Sequence, residues 1–423
     1  MLKKMNNRIK KAKSSSSQSN YLPPEIWTQI LSSLSAKTVL KFRCVCKTWC
    51  SIIDHPDFVH FHFQLCKLNA ENNNKKLFVA LEDLGLNGYE GWLLTVRQAI
   101  TLRKTGYIFG LSNKYKYHVL GSCNGLLFVV QYDDSFQKPA QYRLWNPSIC
   151  KSLVLPMSPF HNYLNRTWHL FGFAPDSQDY KVVVFTYSKI EDTKPLKVCF
   201  AVYTLRDQQW TVRNDPVNVT NLNFPNTAVA FQYLSTAFYF RGKSYWLAQN
   251  VIQSREFLTH LCSFDLDKEN VTFLELPSSP DETDSMKFLF LLEGSLAVFR
   301  ISKVTSRIWV LEQDNRKGPW TLWFSGKSSC DGYNLFKNGL LKKIYYCEMD
   351  GGYFVYGNKV YNIVSCQVQE LNKSMSSCLI LEEYSESLVL SKEFKARNLR
   401  NDSDRTSPDD AQIGCHPLTC IFN

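Results

Sequence analysis

Long apolar runs are missing from this chain of 423 residues. Its most apolar stretch, Phe288 to Phe299, is short and interrupted by Glu293, whereas a membrane-crossing helix needs roughly 20 consecutive apolar residues. No apolar segment follows the N-terminal lysines, so neither a signal peptide nor a membrane span is expected. Cys-x-x-Cys pairs are missing too. The 14 cysteines are scattered, and in a chain that is not exported such thiols stay reduced and serve mostly as small hydrophobes. Cys44, Cys46, Cys50 and Cys66 with His55, His60 and His62 have the residue types for zinc without the paired spacing, and Cys46 falls on an apolar helical stripe, so no metal is expected. A nucleophile beside a base, paired carboxylates or a metal cluster is not legible either. Gly351-Gly352 and the turn glycines Gly121 and Gly125 lack the following helix that a phosphate cradle requires. The expectation is a non-catalytic chain without cofactor, acting in the cytoplasm and/or nucleus.

Charge is present in excess but unevenly. Of the net +11, a large part comes from Lys3, Lys4, Arg8, Lys10, Lys11 and Lys13, ahead of a serine run at Ser14 to Ser17. Residues 1–20 read as a disordered basic leader, either a nuclear-import or phosphorylation segment or a solvated tail. The remaining basic residues are dispersed among Tyr and Trp that read as strand core, so no phosphate-tracking stripe, and hence no nucleic-acid partner, is expected. Residues 393–423 are polar and read as a disordered tail. Its end, Cys420-Ile421-Phe422-Asn423, has a prenylation-like outline with an atypical last residue.

With 44% apolar and 14% aromatic residues the chain can bury a large core. From Leu77 onward, short runs of Val, Phe, Tyr, Leu and Trp alternate with Gly, Asn, Asp, Ser and Pro, which is strand and turn chemistry. One unit returns. It appears as Gly125 to Gln131, Tyr142 to Pro147 and Ser152 to Pro156, then as Tyr180 to Tyr187, Val202 to Leu205 and Trp210 to Val212. Further copies are Ser244 to Leu247, Ser263 to Leu266 and Phe273 to Pro277; Leu296 to Arg300, Ile308 to Leu311 and Trp320 to Trp323; and, more loosely, Leu340 to Tyr346, Val360 to Ile363 and Val368 to Leu371. A unit of this length cannot bury both faces of its own small sheet, which is the sequence signature of propeller blades. Leu77 to Leu81, Trp92 to Val96 and Cys378 to Glu382 are spare strands able to form a mixed closing blade. A six-bladed propeller over residues 77–392, closed by strands from both ends, is the preferred reading, with five or seven blades and a large β-sandwich as alternatives.

Ahead of it, Pro23 and Pro24 sit where a helix begins without losing a hydrogen bond, and Ile26, Trp27, Ile30, Leu31 and Leu34 recur at one-face helical spacing. After a polar break at Ser35 and Lys37, a second stripe runs through Val39, Leu40, Phe42, Val45, Cys46, Trp49, Ile52 and Ile53, ended by His55-Pro56. Two short helices cannot hide so many large side chains within themselves, so residues 21–62 need a partner. Residues 63–76 read as a linker. The fold class is thus α+β, a small helical module followed by an all-β propeller.

Leu22-Pro23, Glu25-Ile26, Ile30-Leu31, Leu34, Lys37, Leu40, the run Phe42-Arg43-Cys44-Val45-Cys46-Lys47-Thr48-Trp49 and Pro56-Asp57-Phe58 resemble the F-box, apart from Ser35, where that family commonly has Pro and where the helix corner is expected to soften. His118 to Leu127, Leu144-Trp145-Asn146-Pro147-Ser148, Leu155-Pro156, Gly172-Phe173, Asp179 to Val183 and Tyr384 to Val389 are similar to the kelch-like F-box-associated domain found behind plant F-boxes. The resemblance implies the substrate-recognition subunit of an SCF-type (Skp-cullin-F-box) ubiquitin ligase. It would dock on a Skp-family adaptor, and through it a cullin and RING subunit, to present a protein substrate for degradation. Assembly without degradation, or glycan binding, are the alternatives. Leu22, Pro23, Glu25, Ile26, Ile30, Leu31, Leu34, Val39, Leu40, Arg43, Val45 and Trp49 are the expected adaptor residues, shared between helix packing and contact, with Lys47 on the polar rim. Substrate contacts are expected on the loops Asp133 to Ala140, Ser188 to Lys197, Asn250 to His260 and Ile301 to Ser306, with Asp133, Asp134, Lys194, Lys197, Arg255 and Lys303 as candidates.

Overall fold

A computed structural model of the chain describes residues 22–72, 76–83, 89–96, 103–108, 116–132, 139–160, 167–188, 197–213, 229–230, 237–250, 258–277, 285–312, 319–338, 344–347, 352–356, 359–370 and 378–391. The N-terminal part is helical: α1 (Pro24–Ser32), α2 (Ala36–Phe42), α3 (Lys47–Ile53) and α4 (Pro56–Asn72). Pro24 occupies the first turn of α1, where its missing N–H is no loss. The single second helix expected from the apolar stripe is in fact two. Cys46 leaves the helix for an extended backbone, and its thiol accepts from the Trp49 N–H at 3.4 Å, starting α3 afresh. That turn carries Val45 out of the stripe into solvent. Ser35 does not soften the corner as expected: its Oγ accepts from the Thr38 N–H at 3.4 Å and caps α2. Pro56 ends one element and opens the next, and the stretch 63–76 expected as a linker is helical as far as Asn72.

The rest is an all-β propeller of small antiparallel sheets, with one inserted helix. In chain order the strands are β1 (Lys76–Asp83), β2 (Tyr89–Val96), β3 (Arg103–Ile108), β4 (Lys116–Cys123), β5 (Leu126–Tyr132), β6 (Pro139–Asn146), β7 (Lys151–Leu155), β8 (Thr167–Ala174), β9 (Asp179–Ser188), β10 (Lys197–Thr204), β11 (Gln209–Arg213), β12 (Val229–Ala230) and β13 (Phe238–Phe240). They continue as β14 (Lys243–Asn250), β15 (Leu258–Asp265), β16 (Asn270–Glu275), β17 (Ser285–Leu292), β18 (Ser295–Ser302), β19 (Thr305–Leu311) and β20 (Trp320–Lys327); after helix α5 (Cys330–Asn338) come β21 (Tyr345–Cys347), β22 (Tyr353–Tyr356), β23 (Lys359–Asn362), β24 (Val368–Glu370) and β25 (Cys378–Tyr384). Five sheets use consecutive strands: β4 to β7, β8 to β11, β12 to β16, β17 to β20 and β21 to β24. A further sheet is assembled from both ends of the chain in the order β25-β1-β2-β3, with Leu77 opposite both Thr95 and Tyr384.

Neighbouring sheets meet through their inner strands: β25 packs against β4, β4 against β8, β8 against β14, β14 against β17 and β17 against β21. First strands such as β17 are buried along most of their length, while the fourth strands β11 and β20 are mostly exposed. This gradient is that of sheets radiating from an axis. One inter-sheet contact recurs. Trp210, near the start of β11, donates its indole N–H to the Pro156 carbonyl at 2.8 Å, and Trp320, at the start of β20, does the same to the Glu275 carbonyl at 2.8 Å. The Trp-Thr-apolar pieces of the sequence repeat supply the donors, and the accepting carbonyls belong to the Ser152 to Pro156 and Phe273 to Pro277 pieces. Between the second and third sheets, Gly172 leaves no room for a side chain, since a Cβ there would lie 2.3 Å from the Tyr239 ring, whose hydroxyl donates to the Phe173 carbonyl at 2.9 Å.

Candidate functional site

The helical module is not a free hairpin. Leu31, Ala36, Val39, Ile52, Ile53 and Phe58 belong to one continuous apolar cluster with Leu126, Phe128, Leu144 and Ile149 of the propeller and with Leu388 and Leu390 beyond β25. One face of the module is therefore satisfied within the chain. The expectation that residues 21–62 stay uncovered until another polypeptide arrives is corrected to that extent.

Behind the joint, on the propeller side, lies a polar clamp. Asn146, fully buried at the end of β6, donates its amide to the Ser387 and Val389 carbonyls at 2.9 and 2.7 Å. Its Oδ1 accepts from the Ser148 N–H and from the Tyr384 hydroxyl, both at 3.0 Å. Tyr384 Oη in turn takes a bond from the Ser148 N–H at 3.0 Å, and burial pushes the Tyr384 phenol well above its usual pKa. Two residues on, the Glu386 carboxylate accepts the Ala36 N–H at the start of α2 at 3.1 Å, a place where negative charge and an unsatisfied donor suit each other. Gly125 completes the cradle: its φ of +76° and the 2.2 Å separation a Cβ would have from Ser387 admit no side chain. Three motifs noticed in the sequence, Asn124-Gly125, Leu144 to Ser148 and Tyr384 to Val389, thus clamp one another and hold α2. Their role was not legible beforehand. A buried asparagine next to Pro147 was the available signal, because such a side chain needs dedicated partners.

His62 of α4 closes the other side, its Nε2–H donating to the Leu34 carbonyl at 2.8 Å. Burial lowers its pKa, against the opposing pull of that carbonyl and of Glu386, so the ring is neutral. The adjacent Cys66 thiol is pushed up to about 12 by burial and stays protonated.

The expected adaptor residues divide cleanly. Leu31 and Val39 are buried in the shared cluster; Leu34, Leu40 and Trp49 pack against it half-buried. Trp49 sits between Trp27 and Phe42, with ring centroids 4.9 and 5.4 Å away. Arg43 does not stand free on a rim, because its guanidinium forks onto Asp54 at 2.6 and 2.9 Å and ties α2 to α3. Leu22, Pro23, Ile26, Ile30, Val45 and Lys47 are exposed, and Glu25 is half-exposed. Ile26 and Ile30, four residues apart, share one side of α1, and Leu22 lies just ahead of the helix. Apolar side chains at 43, 38, 42 and, for Val45, 61% exposure form the surface that the propeller leaves uncovered.

Of the expected substrate residues, Asp133, Asp134, Lys194 and Arg255 lie outside the described residues. Lys197 opens β10 opposite Ser188, and Lys303 is exposed at the turn between β18 and β19. In the first sheet, the clamp at Gly125 and Asn146 marks one end of the strands, whereas Tyr132 and Pro139, which flank the 133–138 connection, pair at the other. In the first sheet, the strand ends that flank 133–138 therefore lie away from the helical module.

The helical module is thus locked by one face to the propeller, with its other face apolar and open. Comparison with known proteins gives the chain a family. The F-box domain profile matches residues 20–61 and that of the F-box associated beta propeller domain matches residues 95–325, and the chain belongs to this family of F-box proteins. An F-box/kelch-repeat protein of Arabidopsis thaliana is 25% identical over 305 residues, 71% of this chain and 78% of that protein. A putative F-box protein of the same plant is 28% identical over 321 residues, 73% of this chain and 72% of that protein.

Proposed function

We propose that this chain is the substrate-recognition subunit of an SCF-type ubiquitin ligase in the cytoplasm and/or nucleus. The F-box holds a Skp-family adaptor, and through it a cullin and RING subunit, while the far end of the propeller holds a protein substrate. The six sheets are read as six blades of one ring, closed by the sheet that joins both ends of the chain. The observation that carries the reading is the division of the F-box side chains: Leu31 and Val39 are used up inside, whereas Leu22, Ile26, Ile30 and Val45 are exposed without an internal reason to be apolar. Catalysis is left to the other subunits. Tethering substrate lysines beside a ubiquitin-charged enzyme turns a rare encounter into an intramolecular one, with effective concentrations of about millimolar for short links.

Affinity purification tests this. Wild type is expected to bring down adaptor and cullin, and an Ile26→Asp/Ile30→Asp variant with unchanged unfolding temperature is expected to lose both. Absence of adaptor from the wild-type purification overturns the assignment. Accumulation of co-purified partners under proteasome inhibition separates degradation from assembly alone.

A further inference from the structure

The propeller strap that grips the F-box also delivers the rest of the chain to it. Leu388 and Leu390 pack in the cluster shared with Leu31 and Val39 of the module, and Glu386 holds the start of α2. α2 also packs on the Pro147–Ile149 turn, and Lys151, just beyond that turn, donates its ammonium to the Ser391 carbonyl at 3.2 Å. The Ser391 N–H binds the Leu388 carbonyl at 2.9 Å, so residue 391 is fixed beside the module. Residues 392–423 follow it.

Their sequence falls into three parts. Residues 392–400 hold Lys392, Lys395, Arg397 and Arg400 against Glu393. The charge then reverses, with Asp402, Asp404, Asp409 and Asp410 against Arg405, and the chain ends apolar through Ile413, Leu418, Ile421 and Phe422. An acidic stretch leading into an apolar one complements the open face of the F-box. There Leu22, Ile26, Ile30 and Val45 are exposed. Arg43 is spent on Asp54, which leaves Lys37, Lys41 and Lys47, all exposed, against Glu25 and Asp57 over residues 22–58. Lys41 and Lys47 lie to either side of Val45 in the chain. Charge disfavours the other end of the chain as a cover, since residues 1–20 carry six Lys or Arg and no carboxylate. Reach is ample: residues 392–412 can extend over roughly 70 Å, several times the width of a helix, about 10–12 Å.

We propose that residues 413–422 fold back over Leu22, Ile26, Ile30 and Val45, with Asp409 and Asp410 toward Lys41 and Lys47, and so compete with the adaptor for this face. The inference rests on the receptor reading and adds regulation of the same site. A tethered segment is present at an effective concentration of about millimolar. If its own affinity is also about millimolar, it covers about half of the molecules, and the adaptor's apparent affinity falls by the uncovered fraction.

The test uses the full-length chain and a tail variant, Ile421→Asp/Phe422→Asp, which leaves every described residue untouched. Cys44 and Cys46 are exposed on either side of Val45, and Cys415 and Cys420 lie within the proposed cover. A short bis-maleimide, applied without adaptor and mapped by mass spectrometry, is expected to join one thiol of each pair within a single chain. The tail variant is expected to lose that product severalfold and to bind purified adaptor about two- to tenfold more tightly than wild type. A synthetic peptide of residues 401–423, added in excess to the variant, is expected to weaken adaptor binding again. The proposal is overturned if the cross-link is missing from wild type, forms only between two chains or persists in the variant. Equal adaptor affinity of wild type and variant overturns it as well, whatever else covers the face, the basic leader included. Either failure with adaptor still bound removes this inference alone, whereas loss of adaptor from wild type and tail variant alike removes the receptor reading.

Discussion

Asn146 uses all its hydrogen-bonding positions on the clamp, two donors outward to the strap and one oxygen shared between Ser148 and Tyr384. Removing it strands several buried groups at once, each worth about 1–3 kcal/mol when unsatisfied. Asn146→Ala is expected to lower unfolding free energy by about 3 kcal/mol in urea titrations, against about 1 kcal/mol for Tyr384→Phe, which deletes one hydroxyl. Side chains of the F-box should sort the same way. Leu31→Ala, in the fully buried cluster, is expected to cost about 2–5 kcal/mol, and Ile30→Ala little stability but much adaptor affinity. Protons give a further residue-level test. His62, His169 and His260 all have pKa values lowered by burial, that of His169 to about 4. His169 Nε2, on a neutral ring, shares a hydrogen bond with the Tyr142 hydroxyl at 3.1 Å. A group whose folded pKa is depressed favours the unfolded chain once pH drops below its ordinary value of about 6.5. Stability is thus expected to fall by on the order of 2–3 kcal/mol between pH 6.5 and 4. His169→Gln should flatten that slope; an unchanged profile contradicts the assignment.

At the scale of elements, the indole-to-carbonyl bond between fourth strands is the repeat's mechanical content. Trp210→Phe and Trp320→Phe keep the ring and lose the N–H, so each is expected to cost about 1 kcal/mol by chemical denaturation. The third-strand pieces of the repeat were legible: Val202 to Leu205, Ile308 to Leu311 and Val360 to Ile363 all fall on β10, β19 and β23 or their ends. First strands such as β8 and β17, buried on both sides, carry no alternation and escaped the repeat. The break in the second F-box stripe was invisible because Val45 and Cys46 continue its apolar pattern, and only backbone geometry reveals that a thiol caps α3. Helix α5 was not expected at all: Cys330 to Asn338 is mostly polar, with Tyr333 and Phe336 buried and Leu335 half-buried against the core. The substrate candidates were chosen as loops, and loops owe least to periodicity, which is why only Lys303 among them gained a described side-chain setting.

For the whole molecule, the decisive feature is that α2 is gripped at one end of the propeller strands while the 133–138 connection leaves the other. The F-box cannot swing independently of the propeller without breaking the Ala36 to Glu386 bond and opening the apolar cluster that the two share. The most direct measurement is quantitative binding of a purified Skp-family adaptor to the full-length chain and to the Ile26→Asp/Ile30→Asp variant. The account predicts saturable binding by wild type and a loss of at least a hundredfold in the variant, with the propeller's thermal transition unchanged. No binding by well-folded wild-type protein, or equal binding by both, would contradict it.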